Sequence, residues 1–276
     1  MAISRDDEAV EVSRSNRRRT IILITVIALH LLAINVSVFF FSNWDPNYSD
    51  SIYLSVFFAQ ATLLGVWAAL GRLLWIYRLI VSVFGVLLLT SHFVFLANER
   101  YDPSLAVAIG IVVTFPFLVV FTATWSLRMI VGLKWDTREP RATDRREVQF
   151  SIRHMMILTL AFAILLGLAR LIQWVAPATY VLIDVVVIGG VIALCSLVTI
   201  WASYGNRMFI PRILFAVTVS CGGGYVIPYS MDQPGIDIDH IILWVLISGL
   251  QAVILLSTLL AMRMAGFSLT TNRSAA

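Results

Sequence analysis

Along the chain, apolar stretches of about twenty residues alternate with short polar loops. A bilayer core of about 30 Å takes roughly 20 apolar residues of helix at 1.5 Å each, so the alternation predicts membrane-crossing helices. The runs are 20–41, 51–70, 79–96, 105–127, 155–171, 180–202, 213–229 and 241–262. The seventh is the weakest, because it is short and carries Gly222, Gly223, Gly224 and Pro228; it reaches spanning length only if its helix begins near Pro211, a residue suited to a first turn. The expected fold is therefore an all-α polytopic bundle of eight transmembrane helices.

The basic residues give this pattern a direction. Five arginines precede the first run, Arg72 and Arg78 lie between the second and third, and seven Lys/Arg lie between the fourth and fifth. Arg207 and Arg212 precede the seventh run, and Arg263 and Arg273 follow the eighth. Only Arg100 and Arg170 fall on the other side, which carries Asp45, Asp50, Glu99, Asp102, Asp232, Asp237 and Asp239. Positive-inside then places both termini in the cytoplasm. A basic flank before an apolar run is also the plan of a signal peptide. The first run is too long for that, and no small-x-small site follows it, so it reads as a retained anchor.

Composition agrees with a membrane protein: 59% of residues are hydrophobic and 13% charged, and mean hydropathy is +0.89. The net charge of +4 flanks membrane spans, so anionic lipid headgroups on the cytoplasmic side, and not nucleic acid, are its expected partners. The chain divides into a cytoplasmic tail (1–19), a four-helix membrane half (20–133), a cytoplasmic linker (134–154), a second four-helix half (155–266) and a cytoplasmic tail (267–276). Gly71-Arg72-x5-Arg78 is echoed by Gly205-x-Arg207-x4-Arg212 at an offset of about 135 residues, as expected of two parallel repeats related by an axis along the membrane normal.

The second half opens on Gln149-Phe150-Ser151-Ile152-Arg153-His154-Met155-Met156. Ser151 is placed to cap a helix, Phe150 to staple onto Met155, and Arg153 to snorkel to the headgroups. This string resembles the F-S-[IL]-R-x-[LM]-[LM] juxtamembrane motif of uncharacterised multi-pass inner-membrane proteins of planctomycete bacteria. Trp67-Ala68-Ala69-Leu70-Gly71 is similar to a segment of such proteins too. The resemblance implies a bacterial inner membrane. It carries over no activity and no catalytic residue.

Asp184 is the one acidic residue within an apolar run, and an intramembrane carboxylate is by default a functional-site hypothesis. Arg170 and Asp184 each lie roughly 6 Å below the outer interface at 1.5 Å per residue, so a hairpin would pair them. A structural ion pair and a transport pathway both follow from that placement. His30, His92, Gln60 and Gln251 are further polar groups in the runs, readable as interhelical hydrogen-bond partners or as a polar lining. No two histidines have ligand spacing on one helix, Cys195 and Cys221 lie inside apolar runs, and the Met231 to His240 loop lacks a calcium ladder, so neither metal nor cofactor is expected.

Stripes of small residues at four-residue spacing predict close helix packing: Ala61, Gly65 and Ala69; Ala163 and Gly167; Gly189 and Ala193; Ala216, Ser220 and Gly224. Gly222 to Gly224 also read as a hinge or broken helix. Zinc-protease, phosphate-loop and Cys-x-x-Cys signatures are absent from the sequence. The expected function is thus that of a non-enzymatic membrane protein, structural or partner-binding. The alternatives are a small transporter or channel around Asp184 and a membrane-embedded enzyme.

Overall fold

The computed structural model describes residues 46–71, 74–98, 103–131, 133–136, 180–204, 209–230, 237–265 and 267–271, with seven residues between 21 and 32 that are helical. In chain order the elements are α1 (Pro46–Leu70), α2 (Trp75–Asn98), α3 (Pro103–Val131), β1 (Leu133–Asp136), α4 (Tyr180–Tyr204), α5 (Phe209–Ser230), α6 (Ile238–Met264) and β2 (Ser268–Thr271). The fold is a helix bundle. Among the described residues, four helical segments are long and apolar enough to cross a membrane: Ser51–Leu70, Val186–Tyr204, Phe209–Tyr229 and Ile238–Met264. The apolar helices are those of an integral membrane protein. The 155–171 run and the Phe150 to Arg153 motif lie outside the described residues.

Packing falls into two like arrangements. α1 packs on α2, α3 and α6, whereas α4 packs on α5, α6 and α3. The two inner helices are held by close backbone approaches and by aromatic and aliphatic side chains. A Cβ at Gly65 would stand 3.0 Å from the Phe117 carbonyl oxygen of α3, so glycine lets α1 and α3 approach closely there. Gly189 is covered by Phe115 of α3 in the same way. Tyr53, Phe57, Phe58, Ile192 and Ile247 are fully buried where α1, α4 and α6 meet.

The helix ends sort to two sides. Arg128, near the end of α3, donates to the Ala69 carbonyl at the end of α1 (2.7 Å). Arg263, near the end of α6, donates to the Ser203 carbonyl at the end of α4 (3.0 Å). β1, which follows α3, pairs antiparallel with β2, which follows α6, through Leu133↔Thr271 to Asp136↔Ser268. Thus α1, α3, α4 and α6 all end on one side, and α2 and α5 start there. We call it the basic end, since Arg78, Arg128, Arg212 and Arg263 gather at it.

The bundle is all-α, as expected, with one addition: the short β1–β2 ribbon joins the expected linker to the expected C-terminal tail. Four residues on each side are too few for periodicity to reveal, and the partners are far apart in sequence. The glycine triplet is neither hinge nor break. α5 runs unbroken for 22 residues from Phe209, with Pro228 in its last turn. A Cβ at Gly224 would stand 2.7 Å from Val245 Cα of α6, and one at Gly223 would stand 2.8 Å from Cys195 Sγ of α4, so these two serve contact; Gly222 faces open space.

Candidate functional site

The buried polar groups of the bundle form two clusters, one at its centre and one at the basic end. The central cluster begins with α4, where Ser196, Thr199 and Ser203 each donate to the carbonyl four residues before, at 2.8 Å. Such back-bonding satisfies a hydroxyl inside an apolar helix without help from another element. Ser196 does more. Gln251 Nε2 of α6 donates to its Oγ at 2.8 Å, and Thr62 Oγ1 of α1 lies 3.0 Å from it. A serine has one proton and two lone pairs. With its proton on the Ile192 carbonyl, Ser196 accepts from both Gln251 and Thr62, and its capacity is fully used.

Other groups at the centre knit the helices in similar fashion. Ser55 of α1 donates to the Ile247 carbonyl of α6 (3.0 Å). His30 Nε2 lies 2.9 Å from Thr258 Oγ1 of α6, and Gln60 Nε2 of α1 donates to the His30 carbonyl at 3.4 Å. Gln60 and Gln251 are both buried. Among the described residues, Gln251 Oε1, Ser248 Oγ and Ser220 Oγ have no hydrogen-bond partner.

The residues singled out from sequence are thus only partly brought together. Gln251 belongs to the central cluster, and Gln60 joins α1 to the helical residues around His30. His92 lies on α2, but its side chain is outside the described residues, as is Arg170. Asp184 stands in the second turn of α4, half-buried and engaged by a neighbour. Asp237, Asp239 and His240 are exposed at the start of α6. Among the described residues, no three His, Cys, Asp or Glu side chains stand close enough to share a metal ion.

Sequence reasoning missed Thr62, Ser196 and Arg78. Thr62 and Ser196 are 134 residues apart, the separation that also relates Trp67 to Trp201, Gly71 to Gly205 and Arg78 to Arg212. That shared register was the available signal. Arg78 heads a stripe with Ser82, Gly85, Val86 and Leu89 that faces α1, where Ser82 donates to the Leu64 carbonyl (3.2 Å) and Gly85 abuts Leu64. An arginine at helical spacing ahead of small packing residues is turned inward with them. Its side chain is 1% exposed, and among the described residues its Nε and Nη1 have no hydrogen-bond partner.

At the basic end the aromatic residues sit among these cations. Arg128 lies over the Trp125 ring at 5.6 Å and Arg212 over the Trp201 ring at 4.7 Å. Trp75 packs edge-on against Trp125, with centroids 6.3 Å apart. No protein-family model matches the chain, and neither a curated protein nor a solved structure matches it.

Proposed function

We propose that the chain is a non-enzymatic multi-pass membrane protein, structural or partner-binding. In this reading it has eight spans in two parallel halves and both termini in the cytoplasm of a bacterial inner membrane. The observation that carries the non-catalytic reading is the saturation of Ser196. It donates to the Ile192 carbonyl and takes up Gln251 and Thr62 from two other helices, as a group holding a bundle together does. Acid–base chemistry or a polar passage needs groups presented to something else.

Several contacts support the duplication. Arg128 bonds Ala69 and Arg263 bonds Ser203 at nearly the same spacing, 59 and 60 residues. Thr124 and Thr258 both donate to the carbonyl four residues before. The α1 neighbours correspond one for one with the α4 neighbours, as a two-fold axis passing near the Thr62–Ser196 contact requires. The eight-span count is supported by direction: α3 ends at the basic end, α4 begins at the opposite one, and the apolar run 155–171 of the intervening sequence has the length of one further span. Single cysteines at Arg138 and Asp232, treated on intact cells with a membrane-impermeant thiol reagent, test the arrangement. Labelling at 232 and protection at 138 is expected, and the reverse would refute the orientation.

A second reading is favoured by the three unpartnered atoms. Ser220, Ser248 and Gln251 lie on α5 and α6, and a rearrangement of those helices around a polar solute would pair them, as in a small transporter. Ser248→Cys decides between the two. The structural reading expects it to stay unlabelled by a small aqueous thiol reagent in native membranes, and rapid labelling would favour transport. Asp184 and Arg170 enter as a structural ion pair. Asp184→Asn is then expected to lower detergent stability, and unchanged stability would remove the pair.

A further inference from the structure

Arg78 and Arg212 hold equivalent positions in the two halves, yet their surroundings differ. Arg212 is half-buried and stacked on Trp201. Arg78 lies with its stem over Gly71: a Cβ there would stand 2.7 Å from Arg78 Cδ. Its guanidinium therefore sits beside Trp67 and the end of α1, where Arg128 is bound to Ala69. Arg78 and Arg128 thus both lie against the last residues of α1 and the glycine that follows it. Among the described residues, no carboxylate accepts from Arg78 Nε or Nη1.

The charges around this point do not balance. The end of α1 contributes about −0.5 charge and the start of α2 about +0.5, so the helix dipoles roughly cancel. Among the described side chains, two full positive charges remain, those of Arg78 and Arg128. A buried guanidinium with unpaired N–H groups is costly, by several kcal/mol in typical cases, unless an anion shares the site. The start of α2 adds donors: Trp75, Ile76 and Tyr77 precede Arg78, whose own N–H is the first to bond back, to the Leu74 carbonyl at 3.3 Å. A planar guanidinium, a second arginine and free helix N–H groups together suit a tetrahedral phosphate.

We propose that Arg78, with Arg128 and the start of α2, binds a phosphate group at the basic end of the bundle. The surroundings favour the phosphodiester of an anionic lipid over a free phosphate. Leu74, Trp75, Ile76 and Tyr77 are all exposed around Arg78, and Trp and Tyr rings with apolar neighbours are what a helix presents at headgroup depth. The Arg78 stem is long enough to turn its head toward that layer. The lipid source rests on the membrane reading above; the phosphate site itself does not.

The test is native mass spectrometry of the full chain in neutral detergent, incubated with equal amounts of phosphatidylglycerol and phosphatidylcholine. Wild type is expected to retain phosphatidylglycerol, and Arg78→Gln to lose it by roughly tenfold, the effect of one charged hydrogen-bonding partner. Arg212→Gln is expected to retain it. Equal retention by wild type and Arg78→Gln, or equal loss in Arg212→Gln, overturns the site. A second arm measures melting with excess inorganic phosphate and no lipid. A rise in wild type that is absent in Arg78→Gln, with no lipid retained, keeps the site and assigns it to free phosphate. Absence of both the retention and the rise in wild type refutes the site. If Arg78→Gln does not fold, Arg78→Lys and Arg128→Gln replace it; each is expected to lose part of the retention, and full retention in both is disproof.

Discussion

In α1, 72% of the apolar window is buried inside the bundle, whereas in α5, of nearly equal mean hydropathy, only 22% is. Hydropathy does not choose between the two situations, because lipid is as apolar as a helix interface. What differs is how much of each helix faces inward, and the same kinds of residue do so in both. α1 buries Ser51, Ser55, Gln60 and Thr62 among Ala59, Ala61, Ala68 and Ala69. α5 turns Ile210, Leu214, Phe215, Tyr225 and Val226 outward and makes contact through Ala216, Ser220 and Gly224. Small and hydroxyl-bearing residues mark the inside of this molecule, since only they allow close backbones and interhelical hydrogen bonds. Large apolar residues serve equally well on either side.

The sharpest way to break the contrast lies at the contact face of α5. Gly224→Leu puts a branched side chain where α6 backbone already stands, and backbone cannot swing aside as a side-chain tip can. Overpacking costs of about 1–3 kcal/mol are typical, and a backbone clash belongs at or above the top of that range. Membrane abundance and detergent melting temperature should both fall steeply. A variant that melts like wild type would mean that α5 is not held against α6 by this contact.

Next comes the outer face. Thr218 is exposed near the middle of α5, so Thr218→Asp places a carboxylate in lipid at an expected cost of about 2.5–3.5 kcal/mol of insertion. Thr218→Leu should cost nothing. The readout is the fraction of chains inserted, followed by a glycosylation or protease-protection reporter. Normal insertion of Thr218→Asp would mean that this face meets water, and the lipid-facing role given to α5 would be lost.

A smaller effect is expected at the centre. Ser196→Ala removes the acceptor shared by Gln251 and Thr62, leaving two buried donors to find new partners. Unsatisfied buried groups cost about 1–3 kcal/mol, although membrane interiors tend toward the low end. Because one hub serves both, Ser196→Ala with Gln251→Leu should cost less than the sum of the two single changes. Strict additivity would show that the three groups do not act as a unit.

Much of this was legible in the sequence, for identifiable reasons. Run length located α1 to α6 because a continuous apolar helix is what length and hydropathy record. The small-residue stripes of α1 and α5 foretold the Gly65 and Gly224 contacts, since close packing in lipid needs them. The inward turn of Arg78 was not read, because charge counting assigns a residue to a side of the membrane and says nothing of rotation about the helix axis. That rotation follows from Ser82 and Gly85 packing on Leu64, a tertiary fact. Gln251 was visible as a lone polar group, but its partners Thr62 and Ser196 looked like ordinary hydroxyls. Only their shared register across the two halves distinguishes them.

Gly222 sharpens the comparison within α5 itself. It lies two residues from Gly224, about 200° round the helix at 3.6 residues per turn, and a Cβ there would meet nothing within 4 Å. Conservation of packing therefore places no demand on it, whereas a helix-interior glycine typically costs about 0.5–1 kcal/mol relative to alanine. Gly222→Ala should raise the melting temperature slightly, while Gly224→Ala, two positions away, should lower it because its Cβ meets α6 backbone. Opposite signs from the same chemical change would show that the inner and outer faces of α5 are set by contact and not by the glycine run as such. A loss at both positions would instead point to a conformational demand shared by the triplet, and the hinge set aside above would return.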